Sequence, residues 1–139
     1  MHNNLPKVAF VCVHNACRSQ MAEAISRTVA FDDFESFSAG TSVADAIQPD
    51  AVRLIEQRYG VDMAMSQAPK TLDALPEDID VVITMGCNVE CPQIPARFRF
   101  DWGLDDPTGK TDDAFFECIE KIETNVHQLQ LDLPRLLQD

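Results

Sequence analysis

The chain has 139 residues, of which 45% are hydrophobic and 24% charged, so it is long enough for one domain with a buried core and has the composition of a soluble globular protein. Its formal net charge of −12 repels the phosphates of nucleic acids and anionic membrane surfaces, so we expect neither as a partner. No apolar run approaches the roughly 20 residues that span a bilayer, and the N-terminus lacks the pattern of a signal peptide, which indicates a cytoplasmic protein.

The first half of the chain alternates between strand and helix patterns. Residues 7–13 form a short, valine-rich apolar run that predicts a buried strand. From residue 17 to about residue 31 apolar side chains recur every four positions, which predicts a helix. Residues 34–40 alternate and predict a second strand. A second helix is predicted to begin at Pro49, which suits a first turn, and to end at Gly60, which suits a C-terminal stop.

The second half continues the alternation. Residues 61–78 predict a loop with a helical turn, residues 79–86 a buried strand closed by a glycine, and residues 97–102 a shorter edge strand. A long amphipathic helix is predicted at roughly residues 112–133. Strands that alternate with helices, without a linker or repeat, predict an α/β fold. We expect a single three-layer domain over residues 1–139, with a mostly parallel sheet of about four strands flanked by helices.

The parallel sheet places distant residues at one edge. In such sheets ligands bind outside the carboxyl ends of the strands. Cys12, Cys87 and the region of Asp106 each follow a predicted strand. We therefore expect these three parts of the chain to share the ligand-binding edge.

The segment CVHNACRS, residues 12–19, lies where the first strand gives way to the first helix, and we call it the oxyanion loop. Its backbone amides and the positive end of the helix dipole form a site for an anion. Arg18 adds a guanidinium whose planar donors match a tetrahedral oxyanion. The same positive groups favour a thiolate at Cys12, so one segment supplies a nucleophile and its oxyanion site. The predicted substrate-binding residues are His14, Asn15, Ala16, Cys17, Arg18 and Ser19.

Other side chains of the loop are expected to support it. Asn15 tolerates left-handed backbone angles and can hydrogen-bond the loop into shape. Ser19 is placed to donate to the Cys12 sulfur. His14 is expected to pack on the loop or face solvent rather than to act as a base. For Cys17, a packed thiol and a protecting disulfide partner of Cys12 both remain open.

The segment CVHNACRSQMAEA resembles the anion-binding loop of the low-molecular-weight protein tyrosine phosphatases and of the arsenate reductases that share their fold. SAG at residues 38–40 and DDPTGK at residues 105–110 match the same superfamily in order and spacing. The resemblance implies that Cys12 is the nucleophile, Arg18 the oxyanion binder and Asp106 the general acid. It further implies no tightly bound cofactor. In some reductases of this type a potassium ion lies near the loop, which here would be held by Asn15, Glu23 and Ser38.

Cys87 and Cys91 favour a reductase over a phosphatase. Hydrolysis needs only one catalytic thiolate, whereas arsenate reduction needs two electrons and therefore further thiols. The resemblance implies that Cys87 attacks Cys12 and that Cys91 takes over the disulfide, with thioredoxin or a low-molecular-weight thiol as the external reductant. Cys91 follows Cys87 more closely than in the best-known reductases, so its part in the relay stays open, and a structural Cys87–Cys91 pair is the alternative. Thr108 follows Asp106–Pro107 where tyrosine phosphatases commonly carry aromatic residues.

Three alternatives remain beside arsenate reduction. A low-molecular-weight phosphatase would hydrolyse phosphomonoesters through a phospho-cysteine on Cys12. A zinc-binding module would use four thiolates, those of Cys12, Cys17, Cys87 and Cys91, whose spacings are close to those of zinc ligands. A catalytically silent oxyanion sensor would report through disulfide formation. The fifth cysteine, Cys118, lies in a helical pattern and is expected to pack as a small hydrophobic residue.

Overall fold

The computed structural model describes residues 5–86 and 94–138. In that part of the chain, four parallel strands form one sheet. The strands are β1 (Lys7–Cys12), β2 (Glu35–Gly40), β3 (Val81–Thr84) and β4 (Phe98–Asp101), and their spatial order is β2-β1-β3-β4. The predicted mostly parallel sheet, with the 97–102 segment at its edge, is confirmed. Each strand begins or ends within two residues of its predicted limits.

The helices of the described residues are α1 (Arg18–Val29), α2 (Pro49–Tyr59), the short α3 (Met63–Ser66) and α4 (Asp112–Leu136), with a 3-10 turn at Leu72–Ala74. Gln48 caps α2 by accepting hydrogen bonds from two backbone amides, and Gly60 ends it with a φ of 73°. α4 runs three residues beyond the predicted end, through Pro134. A proline so close to the C-terminus costs one backbone hydrogen bond and does not stop the helix. No helix in the described ranges has the length and apolarity that crossing a bilayer requires.

The two faces of β1 are buried against different clusters. Val8 and Phe10 belong to the large core cluster, which includes the buried faces of α1, α2 and α4. Ala9 and Val11 belong to a smaller cluster against which Leu72 packs. Both faces of β1 are therefore apolar, as expected for a central strand of a parallel sheet, and the strand is fixed from both sides.

The carboxyl ends of the strands lie at one edge of the sheet because all four strands run in parallel. β1 ends at Cys12 and leads into the oxyanion loop, and Gly40 ends β2 directly beside it. The segments that follow β3 and β4 begin at the same edge. Cys87 and Cys91, the predicted relay thiols, lie outside the described residues.

Candidate active site

The carbonyl groups of residues 13–17 are all bonded away from the centre of the oxyanion loop. Each accepts one hydrogen bond: Val13 from Ser42 N (2.8 Å), His14 from Ala44 N (3.1 Å), Asn15 from Gln20 Nε2 (3.0 Å), Ala16 from Gln48 N (2.8 Å) and Cys17 from Met21 N (2.9 Å). The backbone amides of residues 14–20 donate no hydrogen bond within the described part of the chain. An anion would supply the acceptors that these amides lack, since backbone amides demand a partner.

Asn15 gives the loop its shape from inside the protein. Its side chain is fully buried and its backbone adopts the left-handed conformation, with a φ of 51°. The side-chain Oδ1 accepts from Gln20 Nε2 at 3.0 Å and from the backbone amide of Lys70 at 2.8 Å. The side-chain Nδ2 donates to Ser19 Oγ at 2.8 Å. These bonds compensate for the strain of the left-handed backbone.

Gly40 allows the loop to lie against the end of β2. A Cβ atom at this position would come within 2.6 Å of the Val13 carbonyl oxygen and 3.0 Å of Asn15. Both contacts are with parts of the loop whose hydrogen bonds fix them in place. Any side chain at this position would displace the loop, which explains the glycine of the SAG segment.

Cys12 Sγ lies 3.0 Å from Ser19 Oγ, and the Cys12 side chain is buried. Since Ser19 Oγ accepts from Asn15 Nδ2, its own hydrogen is free to be donated to the sulfur. This hydrogen bond would fix the position of the sulfur beneath the loop. Asn15, which shapes the loop, therefore contacts the nucleophile through Ser19.

Arg18 joins the loop to the ends of two other strands. Its Nη1 donates to the carbonyl oxygen of Met85 at 2.7 Å and to that of Leu104 at 2.8 Å. Its Nη2 lies 3.8 Å from Asp106 Oδ2. The structure thus brings Cys12, Arg18 and Asp106 to the same edge of the sheet, as the sequence predicts.

The surroundings of Asp106 favour its carboxylate form. Partial burial opposes its ionisation, but hydrogen bonds from the Thr108 side chain and amide outweigh this effect. Together with the charges of Arg18 and Lys110 they lower the pKa of Asp106 below its usual value. The Thr108 amide donates to Asp106 Oδ1 at 3.0 Å, so Asp106 also initiates a turn. A role as general acid then requires that the bound oxyanion bring a proton to this carboxylate.

The remaining loop residues have different environments. Burial raises the pKa of Cys17 to about 12 and that of Cys118 to about 11, and both side chains are free buried thiols. His14 is exposed, and its Nδ1 lies 3.0 Å from the Ser42 carbonyl oxygen, which agrees with a loop-supporting histidine. Among the described residues no three His, Cys, Asp or Glu side chains converge as a metal site built from them would require. The four-thiolate zinc alternative depends on Cys87 and Cys91, outside the described residues.

Several residues around the loop are not apparent from the sequence. Gln20 donates to both oxygens of Asn15, and its own Oε1 accepts from Gln67 at 2.6 Å. Lys70 reaches Asn15 through its backbone amide. The Met85 and Leu104 carbonyls, which hold Arg18, are backbone groups. The sequence offers no signal for these contacts, because the burial of Gln20 is visible only in the structure.

Comparison with known proteins relates this chain to enzymes of one family. Residues 7–138 match the model of the low molecular weight phosphotyrosine protein phosphatase family. The glutaredoxin arsenate reductase of Synechocystis sp. is 30% identical over 128 residues, which cover 90% of this chain and 96% of that protein.

Two solved structures are similar to the whole fold. One, described as an arsenate reductase in the phosphate binding state, is 30% identical with a TM-score of 0.82 and covers 92% of this chain and 98% of its own. The thioredoxin-dependent arsenate reductase of Corynebacterium glutamicum is 32% identical with a TM-score of 0.73 and covers 94% of this chain and 63% of its own. The chain therefore belongs to the low molecular weight phosphotyrosine protein phosphatase family, and within it is related to the arsenate reductases.

Proposed function

We propose that this protein is an enzyme that reduces arsenate to arsenite through a covalent arseno-cysteine on Cys12. The observation that carries the proposal is the outward bonding of all five carbonyls from Val13 to Cys17, which leaves a run of unpaired amides next to a nucleophilic sulfur. Arsenate and phosphate are both tetrahedral oxyanions that supply many acceptors to such donors. Relatives named as arsenate reductases favour arsenate as the substrate.

In the first step, the Cys12 thiolate attacks arsenic, and one arsenic–oxygen bond breaks. Arg18 and the amides of the oxyanion loop bind the remaining oxygens and stabilise their charge. The negative oxyanion next to Asp106 favours protonation of this carboxylate, since like charges disfavour a second ionisation. Asp106 then passes the proton to the departing oxygen, which leaves as water.

In the second step, the thiolate of Cys87 attacks the sulfur of Cys12. The electron pair of the sulfur–arsenic bond stays on arsenic, so arsenic is reduced to arsenite while the two cysteines are oxidised to a disulfide. Cys91 then attacks Cys87 and releases Cys12 as a thiolate. An external thiol system, thioredoxin, glutaredoxin or a small thiol, reduces the final disulfide and closes the cycle.

Hydrolysis of phosphomonoesters is the second candidate, since the oxyanion loop binds phosphate as well as arsenate. The segment after the acid distinguishes the two. Asp106–Pro107 is followed by Thr108 and Gly109, and Thr108 bonds back to the carboxylate, so this segment offers no aromatic wall for a phosphotyrosine ring. We therefore expect slow phosphatase activity beside arsenate reduction.

Arsenate turnover tests the proposal. The assay compares thioredoxin, glutaredoxin and small thiols as reductants, for the wild type and for Cys12→Ser, Cys87→Ser and Cys91→Ser, beside a phosphomonoester assay. Cys118→Ser is the matched control, because it removes a thiol that the chemistry does not use. We expect Cys12→Ser and Cys87→Ser to abolish arsenate reduction and Cys118→Ser to retain it.

The outcome for Cys91 separates two forms of the mechanism. Loss in both Cys87→Ser and Cys91→Ser supports the three-thiol relay, whereas loss in Cys87→Ser alone means that the external thiol attacks the Cys12–Cys87 disulfide directly. Arsenate that fails to accelerate thiol oxidation, or an active Cys12→Ser variant, contradicts the proposed function. Phosphomonoester hydrolysis without arsenate reduction would instead establish the phosphatase.

A further inference from the structure

A buried carboxylate lies behind the oxyanion loop. Glu23, on α1, is 2% exposed, and a buried charge is costly unless it is paired. Its Oε2 lies 2.7 Å from Arg27 Nη2. Its Oε1 accepts from Ser38 Oγ at 2.5 Å and lies 3.7 Å from Lys70 Nζ. The chain itself therefore supplies two cations and one hydroxyl to this carboxylate.

Lys70 connects Glu23 with the loop. Its backbone amide donates to Asn15 Oδ1 at 2.8 Å, and its carbonyl oxygen accepts from the backbone amide of Gly40 at 2.8 Å. Its ammonium also donates to the Ala68 carbonyl oxygen at 2.9 Å. One residue thus contacts both the side chain that shapes the loop and the carboxylate behind it.

The resemblance to arsenate reductases implies a potassium ion near Asn15, Glu23 and Ser38. A hard cation needs several oxygen atoms with free lone pairs. Asn15 Oδ1 already accepts two N–H groups, and the two oxygens of Glu23 are shared by a hydroxyl, a guanidinium and an ammonium. An ion bound at Glu23 Oε1 would also be repelled by the Lys70 ammonium. These residues do not fit a potassium ion.

We propose that Lys70, together with Arg27, is the built-in counter-cation of Glu23 and a positioning residue for the oxyanion loop. The ammonium neutralises Glu23, while the backbone of Lys70 holds Asn15 in the left-handed conformation that turns the amides toward the anion. Oxyanion binding in this protein is then independent of potassium. The inference builds on the proposed function. It can be tested by measuring phosphate binding, which does not require the protein to reduce arsenate.

The test measures the dissociation constant of phosphate and the rate of Cys12 alkylation in choline chloride and in potassium chloride of equal ionic strength. The variant is Lys70→Met, because methionine keeps the two backbone hydrogen bonds and removes only the ammonium. Lys7→Met is the matched control, since Lys7 also lies near two carboxylates, Glu35 at 3.6 Å and Asp78 at 3.1 Å, but at the opposite end of β1.

We expect the wild type and Lys7→Met to bind phosphate equally well in both salts. In choline chloride Lys70→Met should bind phosphate about tenfold more weakly, as is typical when a residue that supports a binding group is lost. Potassium should restore most of this affinity and of the alkylation rate, because the ion can take the place of the ammonium. If Lys70 had only a structural role, potassium would restore the phosphate affinity of Lys70→Met no better than choline does.

Two results would overturn the inference: a wild type whose phosphate affinity rises saturably with potassium, or a Lys70→Met variant equal to the wild type in choline chloride. The wild-type titration needs no variant, so it decides the matter even if Lys70→Met does not fold. If phosphate binding depends on the two salts as expected but the protein does not reduce arsenate, the proposed function is wrong and the inference about Lys70 still holds.

Discussion

Asp106 Oδ2 lies 3.8 Å from Arg18 Nη2, so at neutral pH a negative charge stands beside the group that we expect to bind the oxyanion. Removing this charge should have opposite effects on binding and on turnover. In Asp106→Asn we expect phosphate to bind severalfold more tightly, because like charges repel at this distance. Arsenate turnover should fall about 100-fold, the range for loss of a general acid. Calorimetry and single-turnover kinetics measure the two effects.

Asp105→Asn is the matched control for Asp106→Asn, because it removes the same charge from the neighbouring exposed residue. It should leave turnover near the wild-type value. If Asp106→Asn binds phosphate more weakly than the wild type, the carboxylate serves to position Arg18, and its assignment as an acid is wrong.

The buried thiol of Cys17 makes the stability of the protein depend on pH in the alkaline range. Burial raises its pKa to about 12, whereas an unfolded cysteine ionises at about 8.5. Its contribution to stability is therefore complete below about pH 8.5 and is lost as the pH rises toward 12. Each pH unit in this range lowers the free energy of unfolding by at most about 1.4 kcal/mol.

Urea unfolding under reducing conditions at about pH 8 and about pH 10 measures this slope. Cys17→Ala should be less stable at both pH values but lose less stability between them than the wild type. An equal loss in the variant would show that other groups cause the pH dependence.

At the scale of elements, the shape of the oxyanion loop depends on neighbouring elements as well as on its own Asn15. β2 contributes Gly40, the start of α2 contributes the Gln48 amide, and α1 contributes Gln20, each bonded to or packed against the loop. The strand–loop–helix pattern of residues 7–29 is local and could be predicted. The outward rotation of its carbonyls could not, because three of their five partners, the amides of Ser42, Ala44 and Gln48, lie in segments whose approach depends on the sheet order.

Gly40→Ala tests this dependence. Its Cβ would lie 2.6 Å from the Val13 carbonyl oxygen, so the loop must move, and we expect a loss of stability of about 1–3 kcal/mol. Phosphate affinity should fall as well, because the displaced loop no longer directs its amides to one point. Thermal unfolding and phosphate calorimetry measure both effects.

Gly60→Ala serves as the comparison for Gly40→Ala. Gly60 ends α2 at a φ of 73° with open space around it, so alanine there should cost about 1–2 kcal/mol through backbone strain alone. Its phosphate affinity should equal that of the wild type. A Gly40→Ala variant that loses stability but keeps full phosphate affinity would mean that the oxyanion loop does not rely on close contact with β2.

At the scale of the whole molecule, the net charge of −12 opposes the approach of an anionic substrate. Salt screens this long-range repulsion strongly, whereas the contacts with Arg18 and the loop amides are short and partly buried and are screened much less. We expect the KM for arsenate to fall about twofold when choline chloride is raised from about 10 to about 150 mM. Steady-state kinetics measure this change, and a KM that rises steadily with salt would show that local attraction dominates.

The sequence by itself determined the order of the elements and the chemistry of one segment. Buried apolar runs and helical periods are local properties, and they sufficed to predict the parallel sheet and the long C-terminal helix. Cys12 and Arg18 lie in one strand–loop–helix segment, so their shared site also followed from local order. The positions of Cys87 and Cys91 relative to Cys12 stay a prediction.

Only the tertiary structure decided how the site is held together. Asp106 meets Arg18, Lys70 meets Asn15 and Glu23, and Gly40 meets Val13 because parallel strands bring their carboxyl ends to one edge. No local pattern encodes these contacts, since each joins residues far apart in the chain. The physical reason is that a buried polar group is costly without a partner, and the fold, not the neighbouring sequence, determines which partner is within reach.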